Sequence, residues 1–146
     1  MIRILAFVIS IAGLVGCATE RFGNFESNAP SGLHEGIAAD TIHHLEKIYP
    51  PAQTQFNFGQ SIPKSDRFGM LLVDSLRAKG YAVKEYSPKQ SVSGTGLRLQ
   101  YVVDKPSINV TDLYRIKLKI DDVTFTHAYE AKNNTALSAG AWAKME

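Results

Sequence analysis

The chain has 146 residues, with 16 lysines and arginines against 14 acidic residues, a formal net charge of +2 and 45% hydrophobic residues. The length fits a single domain of ordinary size, and a nearly balanced charge with no run of lysine or arginine argues against binding nucleic acid through a basic surface. A lone cysteine excludes a disulfide framework, so the fold must be held by its core.

The first seventeen residues read as a secretory signal. Arg3 is a short positive n-region, an apolar run from Ile4 to Val15 follows, and small-tolerant positions precede the cysteine. The run is shorter than the roughly 20 residues a membrane-spanning helix needs, so the segment is expected to be removed. Leu14, Val15, Gly16 and Cys17 fill the four positions of a pattern that resembles the lipobox of bacterial lipoproteins. That resemblance implies cleavage between Gly16 and Cys17 and acylation of the Cys17 thiol, with palmitate-type chains. Each buried methylene contributes about 0.8 kcal/mol, so three chains anchor a protein for good. Ala18, where aspartate would favour retention in the inner membrane, implies sorting to the outer membrane. Removing residues 1–16 takes away only Arg3, leaving 15 basic residues against 14 acidic ones and a net charge of +1.

Residues 17–36 are rich in Asn, Ser, Gly and Pro and lack periodicity, which predicts a lipidated, flexible tether. Phe22 and Phe25 stand out in it. They either form a recognition segment for a partner or lie back on the domain or the lipid surface. Residues 37–146 then form one domain. Ile37, Ala38, Thr41, Ile42, Leu45 and Ile48 follow the spacing of a helix with one buried face, stopped by Tyr49-Pro50-Pro51. Phe56 and Phe58 share one face of a short strand. Ser65 or Asp66 can cap a second helix carrying Phe68, Leu71, Leu72 and Leu76, which Gly80 ends.

Strands follow from Tyr81 onward, with a loop over residues 87–96. Leu97, Leu99, Tyr101 and Val103 share one face, and residues 104–112 form another loop. Tyr114, Ile116, Leu118 and Ile120 lead into a two-residue turn at Asp121-Asp122. In that hairpin Ile120 faces Val123, Leu118 faces Phe125, Ile116 faces His127 and Tyr114 faces Tyr129, one continuous ladder. Lys132-Asn133-Asn134-Thr135 is a further turn, and the run to Trp142 can add a last short strand. The expected fold class is α+β, with two helices packed on one face of a mainly antiparallel, four- to five-stranded sheet.

No catalytic constellation, cofactor site or metal site is expected. His43 and His44 are adjacent, so on a helix they point about 100° apart and do not converge on a metal. Asp121-Asp122 is turn chemistry. Gly94-Thr95-Gly96 precedes a strand, where a phosphate loop needs a helix N-terminus. No serine lies in a G-x-S-x-G elbow. Asn109-Val110-Thr111 and Asn133-Asn134-Thr135 match the glycosylation pattern, which a bacterial lipoprotein does not normally use.

Taken together, the lipobox, the segment Tyr49-Pro50-Pro51-Ala52-Gln53-Thr54, Phe68-Gly69 and the run Leu76-Arg77-Ala78-Lys79-Gly80-Tyr81-Ala82-Val83 resemble the conjugal-transfer lipoprotein family TrbH. Leu99-Gln100-Tyr101-Val102-Val103-Asp104, Leu113-Tyr114-Arg115-Ile116 and Gly140-Ala141-Trp142 extend the likeness over most of the mature chain. The resemblance implies a non-enzymatic lipoprotein on the periplasmic side of the outer membrane. It would belong to a type IV secretion apparatus for mating-pair formation, with a structural or assembly role, partnered by other envelope proteins of the channel and by the membrane through Cys17. The competing expectation is a periplasmic lipoprotein that binds a small ligand or peptidoglycan in a pocket lined by Phe56, Phe58 and tyrosines.

Overall fold

The structure, a computed structural model, describes residues 19–89, 94–106, 109 and 112–146. In chain order its elements are β1 (Gly23–Asn24), α1 (Ser31–Ile48), β2 (Gln55–Phe58), α2 (Arg67–Ala78), β3 (Ala82–Lys84), β4 (Leu97–Asp104), β5 (Leu113–Ile120), β6 (Val123–Lys132), β7 (Thr135–Ser138) and β8 (Ala143–Met145).

Both helices form where apolar periodicity demands. The start of α1 is corrected from Ile37 to Ser31, because Leu33 and His34 lie one turn ahead of Ile37 and Ala38 and extend the same buried stripe. Tyr49 is extended, as a residue before proline should be. In α2 the N-cap is Asp66, whose Oδ1 accepts from the Gly69 backbone N–H at 2.8 Å. Gly80, at φ +90°, then turns the chain out of the helix.

The sheet differs from expectation in size and direction. Its order is β3-β2-β4-β5-β6-β7, with β1 beside β4 and β8 beside β6. The expected four to five mainly antiparallel strands are therefore a larger, partly parallel sheet. The parallel half has a simple cause. The chain leaves β2, crosses through α2 and returns as β3 in the same direction, and parallel neighbours require such a crossover. β2 also runs parallel to β4, and β1 parallel to the second half of the same β4 edge. β3 is the strand expected from Tyr81; the additions are β1, two residues too short to show alternation, and the division of the single last strand into β7 and β8, which share the outer edge of β6. The β5–β6 hairpin, by contrast, has the expected register, with Ile120 opposite Val123, Leu118 opposite Phe125, Ile116 opposite His127 and Tyr114 opposite Tyr129. Asp121 takes φ +50° in its turn, and Asn133 and Asn134 take positive φ in the next, a conformation that Asn and Asp tolerate.

One core lies between the helices and the inner face of the sheet. It joins Leu33, Ile37, Ile42, Leu45, Phe68, Leu72 and Leu76 to Phe56, Leu99, Tyr101, Ile116, Leu118 and Phe125. Each such side chain contributes about 1.5–3 kcal/mol when fully buried. The helices approach closely. A Cβ on Gly32 would stand 1.9 Å from the Asn134 carbonyl oxygen, and one on Gly69 would stand 2.0 Å from the Tyr101 hydroxyl.

Candidate functional site

Two features gather the polar side chains of the fold. The first is the N-terminal arm. Glu20 accepts from Lys117 at 2.8 Å and lies 3.7 Å from Lys119, both on the outer face of β5. The Lys119 ammonium also sits 6.0 Å from the centre of the Phe22 ring. Gly23 and Asn24 pair with Val102 and Val103, and the Phe25 N–H donates to the Val103 carbonyl at 2.9 Å. The stretch expected as tether is therefore bound to the sheet from Glu20 to Phe25 and helical from Ser31. It reads as loop because the β4 and β5 residues that hold the arm lie some eighty or more positions away, beyond any local pattern. Phe22 is half-buried on the outer face and Phe25 is 53% exposed. The lipidation and cleavage residues Cys17 and Gly16 lie outside the described residues. The Lys117 hydrogen bond is the largest influence on the Glu20 carboxyl and draws it below its ordinary range.

The second is a polar clasp inside the helix–sheet layer. Asp40 and His44 stand one turn apart on α1, and His127 and Tyr129 two residues apart on β6, so each pair shares a face. Asp40 Oδ2 accepts from the Tyr129 hydroxyl at 2.6 Å and from the Trp142 indole at 3.1 Å, and it lies 3.1 Å from His127 Nδ1. The Trp142 ring stacks on His44, centroids 4.2 Å apart and nearly parallel. On the far side of the His127 imidazole, Nε2 lies 2.9 Å from Ser138 Oγ and 3.0 Å from the Gly140 carbonyl. Burial pushes the Asp40 pKa up, but the hydrogen bonds from Tyr129 and Trp142 and the nearby His127 outweigh it and hold the carboxyl below its usual range. Burial, and then the bond to Asp40, drives the Tyr129 phenol far above its ordinary value.

Ser138, His127 and Asp40 follow one another in the order of an acyl-transfer triad. The Ser138 hydroxyl also donates to the Gly140 carbonyl at 2.9 Å, and two donors, with His127 Nδ1 beside them, converge on one Asp40 oxygen. Those bonds pin the C-terminal segment to β6 and α1. Sequence reasoning missed Asp40, Ser138 and Trp142 as a group. The available signals were a carboxylate among the apolar positions of α1 and one histidine in an otherwise apolar ladder.

The other predicted candidates are scattered. His34 is fully buried, with Nε2 3.3 Å from Asn24 Nδ2, while His43 is exposed. Among the described residues no three His, Cys, Asp or Glu gather to hold a metal ion. Asp121 Oδ1 accepts from the Arg98 N–H at 2.9 Å, which is turn chemistry as expected. Thr95 offers its carbonyl to Gln55 and Asn57. A cavity of about 220 Å³ lies between β2, β4 and the segment after β3, lined by Asn57, Phe58, Lys84, Tyr86, Arg98 and Asp121 among others. Phe56, expected to line a pocket, is instead fully buried in the core.

The architecture is that of a small α+β domain with an N-terminal arm paired to β4 and a C-terminal segment held on β6 and α1. The chain belongs to the TrbH family: the family model, described as conjugal transfer protein TrbH, matches residues 19–146. No curated protein and no solved structure matches the chain.

Proposed function

We propose that this conjugal-transfer protein is a lipoprotein of the outer membrane, acylated at Cys17 after cleavage behind Gly16, with a structural role in the type IV secretion apparatus that moves DNA between bacteria. The observation that carries the reading is the family match, which begins two residues after a cysteine set in a lipobox-like sequence. The domain faces the periplasm, its partners are other envelope proteins of the channel, and it performs no chemistry of its own. Phe22 and Phe25, in the arm next to the anchor, are the proposed contacts, either with a partner or with the lipid surface. The near-neutral charge supports protein partners over the transferred DNA.

The small-ligand reading gains little from the cavity, because 220 Å³ falls below the range of about 300–1,000 Å³ typical of ligand sites. The test is in-cell crosslinking and affinity purification of the full-length protein beside Cys17→Ser. Recovery of other channel proteins, reduced in the variant, together with lower DNA transfer on deletion of the gene, supports the assembly role. Unchanged transfer on deletion, with both versions purifying alone, refutes it.

A further inference from the structure

We propose that the outer face of the sheet is a membrane-docking face that lies flat on anionic phospholipid head groups of the leaflet holding the anchor. The inference deepens the proposed function and rests on acylation at Cys17. Its first support is the length of the leash. A flexible tether over residues 17–36 would allow the domain to stand roughly 25 Å off the surface. The arm is instead fastened from Glu20, through Lys117, Lys119 and the β1–β4 pairing. Cys17 precedes Glu20 by three residues, a fully extended reach of about 11 Å at most. The point of attachment is on the outer face, so this is the face that a Cys17 anchor draws toward the lipid.

The second support is the chemistry of that face. Cross-strand register places Lys117 opposite Val102 and Thr126, and Lys119 opposite Gln100 and Thr124. Leu137 pairs with the outer-facing Glu130, and Met145 with the outer-facing Thr124. These two side chains are 44% and 62% exposed, although sheet residues on the inner face are almost all buried. Arg98, Arg115 and Lys132 join the same surface; Arg115 is clamped by Asp104 at 2.6 Å, and Glu20 and the outer-facing Glu130 offset part of the basic charge. Exposed apolar side chains among basic ones suit a head-group interface, where the cations meet phosphate and the apolar groups enter the acyl boundary. Both helices pack on the opposite side of the sheet and would face away from the membrane, toward protein partners.

The test uses the full-length protein, purified with its acyl chains and reconstituted in vesicles of phosphatidylethanolamine and phosphatidylglycerol. An acylated Cys17 has no free thiol, so a fluorophore attaches only to an introduced cysteine. Thr135→Cys marks the outer face, and Asp74→Cys marks the exposed side of α2. Head-group-labelled quencher lipid should quench the first several-fold more than the second, and raised ionic strength should narrow the difference. Leu137→Gln with Met145→Gln, which leaves the Glu20 pairs intact, should lower quenching at position 135. Equal quenching at 135 and 74, or no change in the double variant, overturns the docking face while the anchor stands. Failure of Cys17 to incorporate an alkyne fatty acid in cells overturns the anchor, and the docking face with it.

Discussion

Trp142 and Asp40 stand 102 positions apart in the chain, yet the indole N–H donates to the carboxylate at 3.1 Å, and this bond closes the C-terminal segment onto α1. Asp40→Ala leaves the Tyr129 hydroxyl and the indole without their shared acceptor and removes the carboxylate beside His127 Nδ1. The Asp40 side chain is 37% exposed, so water replaces part of the loss. The expected destabilisation is about 2 kcal/mol. Trp142→Phe keeps a ring to stack on His44 and loses one donor, at about 1 kcal/mol. Urea unfolding measures both, and equal stability of Asp40→Ala and the parent would show that the clasp is incidental.

Gly32→Ala sets two effects against each other. Alanine favours a helix over glycine by about 1 kcal/mol in the interior and by less at Gly32, the second residue of α1. The new Cβ, however, would stand 1.9 Å from the Asn134 carbonyl oxygen, a backbone atom in the β6–β7 turn that cannot swing aside as a side chain would. Steric conflict should win, and the variant should melt at lower temperature than the parent. A rise in melting temperature would mean that α1 and the turn are not packed so closely in solution.

Much of the fold was legible because its signals are local. The alternation from Tyr114 to Tyr129 with Asp121-Asp122 between its halves specifies the hairpin register residue by residue, since a slip of one would turn Leu118 and Phe125 outward. The helix stripe from Ile37 to Leu45 and the Asp66 cap were legible for the same reason. The parallel pairings were not. β1 has two residues and β3 three, and nothing in so few positions tells which distant edge will take them. The clasp was invisible for a related cause: Asp40, His127, Ser138 and Trp142 are each ordinary alone, and only the packing of α1 on β6 makes them a group.

Asp66 joins a cap to the core. One carboxylate oxygen accepts from the Gly69 N–H, and the other from the fully buried Tyr101 hydroxyl at 2.5 Å. Asp66→Ala should cost about 2–3 kcal/mol, roughly 1 for the cap and the remainder for the stranded hydroxyl. Tyr101→Phe removes that hydroxyl and keeps the ring, whose edge meets Phe68, so the double variant should be less destabilised than the two single losses added together. Strict additivity in a denaturant series would show that the two groups do not interact.

Acid should unfold the protein in two stages that different residues set. Burial lowers the pKa of His34 and of His44 below the ordinary 6.5, so each is kept neutral in the fold and protonates more readily in the unfolded chain. Their contribution is present above 6.5 and is lost as pH falls through the folded values, because there the unfolded state binds more protons. Asp40 acts lower. Its folded pKa lies below the ordinary 3.8, so its contribution holds above 3.8 and disappears as pH falls through the folded value. Urea midpoints measured downward from neutral pH should therefore decline first through the histidines. His44→Phe, which retains an aromatic ring against Trp142, should flatten that first decline, and Asp40→Asn should flatten only the second. If His44→Phe leaves the decline just below pH 6.5 unchanged and His34→Phe does too, neither imidazole sets the acid limit of the fold.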